Sequence, residues 1–156
     1  MVQLIGNRSR QRRHLWCEAA WVTPVGVASV ASSAFDLNPG DAEIRRQYGT
    51  ALHVLSYAAY ASGRFDEALG KAQDATTFEW EGMEVALFDV SRAAAELGHE
   101  TEALTHGERA FRMAKDRLAG AALQPFAQNY VNILQQFGQD GLATRVQMEN
   151  AALGVR

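Results

Sequence analysis

The chain has one cysteine, Cys17, so no internal disulfide can form, and the small disulfide-stapled secreted class is excluded in favour of a reducing compartment. Isoleucine is confined to Ile5, Ile44 and Ile133, and no long alternation of β-branched residues occurs, which removes the usual signature of a sheet. Lysine is almost missing, with Lys71 and Lys115 its only examples; arginine carries the positive charge, a bias that reads as genome composition. No run approaches the ~18 apolar residues of a membrane span. P-loop, GxGxxG and HExxH patterns are all missing. The expectation is a cytoplasmic, non-membrane, non-catalytic chain that uses no cofactor.

What remains is one domain's worth of chain: 156 residues, 47% apolar and 21% charged, with net charge -3. Alanine is the commonest residue, which favours helix. Breakers fall at spaced intervals, namely Pro24, Asn38-Pro39-Gly40, Gly63, Gly98, Gly120 with Pro125, and Gly138. Thr23-Pro24 and Asp41 read as helix starts, and Gly63, Gly98 and Gly138 as C-terminal stops. The sequence therefore predicts an all-α fold with helices over 9–21, 24–37, 41–62, 65–78, 83–97, 100–118, 123–137 and 140–153.

Sliding the chain against itself by about 35 residues aligns Ala51, Leu52, Ser56, Ala58, Ala59, Gly63, Glu67, Ala68, Leu69 and Ala75 with Ala86, Leu87, Ser91, Ala93, Ala94, Gly98, Glu102, Ala103, Leu104 and Ala110. The matches are small and apolar residues at helical spacing, where two helices must approach closely. Leu52-x2-Leu55-Ser56-x2-Ala59, Gly63 and Ala68-x3-Ala72-x2-Ala75 together resemble the tetratricopeptide repeat, a helix-turn-helix unit of about 34 residues. The second copy, Leu87-x2-Val90-Ser91-x2-Ala94, Gly98, Ala103-x3-Gly107-x2-Ala110, resembles it equally. Both depart from the family in placing Ala72 or Gly107 where a bulky aromatic is usual, and Trp80 or Lys115 where a closing proline is usual. A weaker third copy starts at Ala127-x2-Tyr130-Val131-x2-Leu134 and Gly138, and its polar second helix suits a cap.

The resemblance implies antiparallel helix pairs stacked as a short right-handed superhelix: a degenerate repeat over about 9–40, repeats over 41–82 and 83–118, and a capping repeat over 123–153, behind a basic arm at 1–13. It further implies that the first helix of each pair lines a concave groove. With Leu52, Leu55, Ala59 and their equivalents facing the core, the stripe one step round carries His53, Tyr57 and Tyr60, then Phe88, Arg92 and Ala95, then Gln128, Asn132 and Gln135, with Asp89, Glu96, Asn129 and Gln136 flanking it. Rings offer apolar anchors, and amides hydrogen-bond a peptide backbone without desolvating a full charge. The expected partner is thus another protein, presenting a peptide or a helix to the groove. The opposing reading has those rings packing only against the protein itself. The lysines of carboxylate-clamping family members are missing, so that specialised activity is not expected.

The one concentrated charge is Arg8, Arg10, Arg12 and Arg13, and the first 40 residues carry a net +2 against -5 for the rest. This arm suggests contact with nucleic acid as an alternative function, or docking on Glu79, Glu81 and Glu84 as a more ordinary one. Basic residues before the run from Leu15 to Ala34 follow the order of a secretion signal, but Glu18, Pro24 and three serines weaken it. Homo-oligomerisation through the end faces of a short array is a third possibility. His99, Glu102 and His106 share a helix face without completing a metal site, and no metal is expected. His14 and Cys17 lack an orienting acid beyond Glu18, and Trp16, Trp21 and Trp80 read as core or seam residues.

Overall fold

The computed structural model describes residues 24–118 and 120–153. Among them are seven α-helices and no strand: α1 (Pro24–Leu37), α2 (Ala42–Ala61), α3 (Phe65–Ala75), α4 (Met83–Glu96), α5 (Glu100–Arg117), α6 (Gln124–Gln136) and α7 (Asp140–Leu153), with a 3-10 turn at Gly120–Ala122. The helix expected over 9–21, the basic arm and the Thr23 cap lie outside the described residues.

The helix boundaries follow local chemistry. Asp41 caps α2, its carboxylate accepting from the N–H groups of Glu43 at 2.8 Å and Ile44 at 3.1 Å. After α2, α4 and α6 the chain makes the same turn three times. Gly63, Gly98 and Gly138 take φ of 72°, 74° and 72°. The N–H of the following residue (Arg64, His99, Gln139) returns to the carbonyl of Ala59, Ala94 or Leu134 at 2.9, 2.9 and 2.7 Å. This is the Schellman arrangement, which satisfies carbonyls the helix end would leave open. One boundary differs from expectation. α3 stops at Ala75 instead of reaching 78, because Thr76 and Thr77 turn their hydroxyls back to the carbonyls of Gln73 and Asp74, and Phe78 and Trp80 swing inward.

Consecutive helices pack on one another along the chain, and α4 also touches α2 and α6. The seam is built from small side chains: Ala59, Ala68, Ala72, Ala93, Ala94 and Ala103 are each fully buried, with Val90 and Ile133 among them. Side chains this short let backbones approach, which maximises dispersion contacts per helix length. A second cluster of larger residues, including Leu87, Phe111, Leu123, Tyr130 and Leu134, ties α4 to α5, α6 and α7. Phe35, Tyr48 and Phe78 cluster with ring centres 4.8–5.5 Å apart, Tyr48 stacked on Phe78 and Phe35 tilted against both, and bind α1 to α2 and the loop after α3.

Trp80 follows the end of α3 and turns inward. Its indole N–H donates to the Ala75 carbonyl at 2.9 Å. The ring lies against Gly49 and Gly82, where an added Cβ would come within 2.3 and 2.5 Å of it. Gly82 also holds φ of 128°, a conformation that L side chains rarely adopt.

Candidate functional site

α2, α4 and α6 set side by side the residues that the sequence placed on one stripe. His53 and Tyr57 from α2, Phe88, Asp89 and Arg92 from α4 meet around an open cleft of about 220 Å³, which Val85, Pro125 and Phe126 complete. These last three were missed by the sequence reading. Extending the same stripe one helical turn towards the start of α4 and α6 reaches Val85 and Pro125, so the signal was present.

Asp89 is the fulcrum. Its side chain is 1% exposed, yet both carboxylate oxygens are engaged: Oδ2 with Nδ1 of His53 at 2.5 Å, and Oδ1 with the Arg92 guanidinium at 3.2 Å. A buried carboxylate is tolerated only when it is paired and hydrogen-bonded, and here the partners come from two helices. Arg92 is fixed on its other side by rings. Its guanidinium carbon lies 4.1 Å from the Tyr60 ring centre, 5.2 Å from Phe88 and 5.6 Å from Tyr57. Tyr60 donates to Glu96 at 2.7 Å, and burial together with that bond pushes its hydroxyl up to about 12. Phe88 meets Phe126 edge-on at 5.4 Å, joining α4 to α6 at the cleft floor.

The amides of α6 divide into two sets and none lines the cleft. Asn129 donates to Ser91 at 3.0 Å and Gln136 to the Ala95 carbonyl at 2.8 Å, so both fasten α6 to α4. Gln128 donates to Asn132 at 2.8 Å on the exposed face, where Gln135 also lies. Tyr57 remains 55% exposed, the most accessible ring of the group.

Elsewhere, Glu84 is buried and bound by Arg117 at 2.8 Å, which leaves Glu79 and Glu81 as the exposed acids of the trio. His99 lies 3.5 Å from Glu102, which accepts from Gln73 instead of joining a ligand set. Among the described residues no three His, Cys, Asp or Glu side chains are grouped to hold a metal, and no helix is long and apolar enough to cross a membrane. Burial lowers the His106 imidazole below its ordinary value, with nearby Glu102 opposing the shift and Arg109 adding to it. Arg8, Arg10, Arg12, Arg13, His14, Trp16, Cys17 and Trp21 lie outside the described residues.

Comparison with known proteins finds no matching family model, no matching curated protein and no matching solved structure. The likeness to the tetratricopeptide repeat is carried by the residues alone.

Proposed function

We propose that this protein is a non-catalytic interaction module, a short right-handed tetratricopeptide-like array that receives a peptide or helix of another protein along α2, α4 and α6. The observation that carries the reading is the cleft itself: three helices contribute one continuous wall of rings and alkyl groups around a rigidly held arginine. The three equivalent glycine turns and the alanine seam support the repeat reading. A volume of about 220 Å³ lies below the roughly 300–1,000 Å³ typical of sites that enclose a free small molecule. It suits one large side chain projecting from a longer partner. Pre-organisation supports binding, because Asp89 and Tyr60 already hold Arg92 in place and little side-chain freedom is left to lose.

The test is selection of peptides from a displayed random library on the intact protein, followed by binding of the enriched peptides to a Tyr57→Ala variant whose helicity and melting temperature match the parent. Binding should weaken at least about tenfold on Tyr57→Ala, the size of effect an exposed ring at a contact centre has. Equal binding to the variant, or no enrichment at all, overturns the groove assignment. The nucleic-acid reading rests on the arginine arm and predicts salt-sensitive retention on DNA or RNA that is lost when Arg8, Arg10, Arg12 and Arg13 are replaced by glutamine.

A further inference from the structure

The polar wall of the cleft is only half satisfied. Asp89 has no oxygen to spare, because Oδ2 accepts from Nδ1 of His53 and Oδ1 from Nη2 of Arg92. An ionised carboxylate can only accept, so the proton of the neutral His53 ring sits on Nδ1 and Nε2 becomes an acceptor. That nitrogen pairs with nothing among the described residues, and water reaches it, the side chain being 34% exposed. Arg92 is the complementary case. Its Nη2 bonds Asp89, its Nε is buried without a partner, and its Nη1, open to solvent, bonds no acceptor among the described residues. Standing on one carboxylate, His53 and Arg92 therefore offer the cleft an unused acceptor beside an unused donor. The rest of the lining is rings and alkyl groups, with Phe88 against Phe126 as its floor.

Charge narrows the occupant further. Asp89 already offsets Arg92, and Glu96 accepts from the hydroxyl of Tyr60, the ring over which Arg92 lies. An anion entering the cleft would meet Asp89 and Glu96 as well as the guanidinium, and a cation would meet the guanidinium itself. An uncharged group is the complement. We propose that the cleft is a socket for a tyrosine of a partner protein, its ring on Phe88 and Phe126, its hydroxyl donating to Nε2 of His53 and accepting from Nη1 of Arg92. The proposal rests on the cleft being the binding site and names what enters it. Among large apolar side chains tyrosine alone answers both groups. Phenylalanine, leucine and methionine would strip water from His53 and Arg92 and give nothing back, and the indole N–H of tryptophan donates without accepting. A phenol also brings much contact area on few rotatable bonds, which keeps the entropy of docking small.

The experiment uses the full chain at about pH 8, above the ordinary imidazole range. Displayed peptide libraries with random flanks carry one fixed central residue, which is tyrosine, phenylalanine, tryptophan, leucine or glutamate. The tyrosine library should enrich most. In a synthetic peptide taken from it, exchanging the tyrosine for phenylalanine should weaken binding about tenfold, the loss expected when hydrogen-bonding groups are left unpaired. On a folded His53→Leu variant, which has no acceptor at that position, the same exchange should cost about threefold or less. The exchange within the peptide reads the proposal on the unaltered protein, whether or not that variant folds. Stronger enrichment of any other library, equal binding of the two peptides, or an undiminished loss on His53→Leu overturns the socket while leaving the cleft as a binding site. No enrichment from any library overturns both.

Discussion

Nδ1 of His53 and Oδ2 of Asp89 lie 2.5 Å apart, joining α2 to α4 beneath the cleft through a carboxylate that water scarcely reaches. The contact ties the stability of the helix packing to the shape of the site. Asp89→Ala should cost about 2–3 kcal/mol, because it leaves both His53 and Arg92 without their charged partner. His53→Ala should cost less, as that side chain is 34% exposed. Urea midpoints of the two single variants and the double variant should give a coupling of about 1 kcal/mol; strict additivity would show that the contact contributes nothing.

Gly49→Ala should destabilise by about 1–3 kcal/mol, since the new methyl would sit 2.3 Å from the Trp80 ring and the ring is tethered through its N–H to Ala75. Replacing Trp80 by leucine in the Gly49→Ala background should recover part of that loss. Thermal melts of the pair check it, and a fully additive result would place the strain elsewhere.

Gly63→Ala, Gly98→Ala and Gly138→Ala should each cost about 1–2 kcal/mol and should cost alike. No atom lies within 4 Å of the Cβ that would be added at any of the three, so only the left-handed backbone resists it. Denaturant titration of the three variants is the measurement, and one outlier would break the equivalence of the turns.

Two side chains give stability a pH dependence that substitution can check. The Tyr60 hydroxyl is raised from 10.0 to about 12, so its contribution to stability is complete below pH 10 and disappears as pH rises towards 12. Tyr60→Phe should show a shallower alkaline fall between those values. His106 is shifted in the other direction. Being lowered, it favours the folded state only above the ordinary imidazole value of 6.5, and that contribution is lost as pH falls below it. Chemical denaturation of His106→Gln across pH 5 to 7 should be flatter than that of the parent.

The helices were legible because their ends are written in residues with a local mechanism: Asp41 at a start, and Gly63, Gly98 and Gly138 at stops. α3 ran short because its end is decided by long-range packing. Nothing within 65–78 announces that Phe78 and Trp80 will leave the helix to fill a seam against Tyr48 and Gly49. The cleft was half legible. Helical periodicity gave His53, Tyr57, Phe88 and Arg92 on one stripe with Asp89 flanking it, and all five line the cleft. It could not say that Asn129 and Gln136 would turn to Ser91 and Ala95, since an amide on a stripe faces a neighbour or open groove according to how far apart two helices sit. Asp89 illustrates the same limit: spacing located it, whereas its burial depends on partners 36 and 3 residues away.

The position of α4, in contact with α2, α3, α5 and α6, has a dynamic corollary. Opening α4 breaks its seams with α2, α3, α5 and α6 at once, whereas α7, with only Ala143 and Val146 buried, detaches at little expense. Amide protons should accordingly exchange with solvent slowest in α4 and faster in the end helices α1, where Ala28 is the buried residue, and α7, so that the fold frays inward from its ends while its centre is the final part to melt.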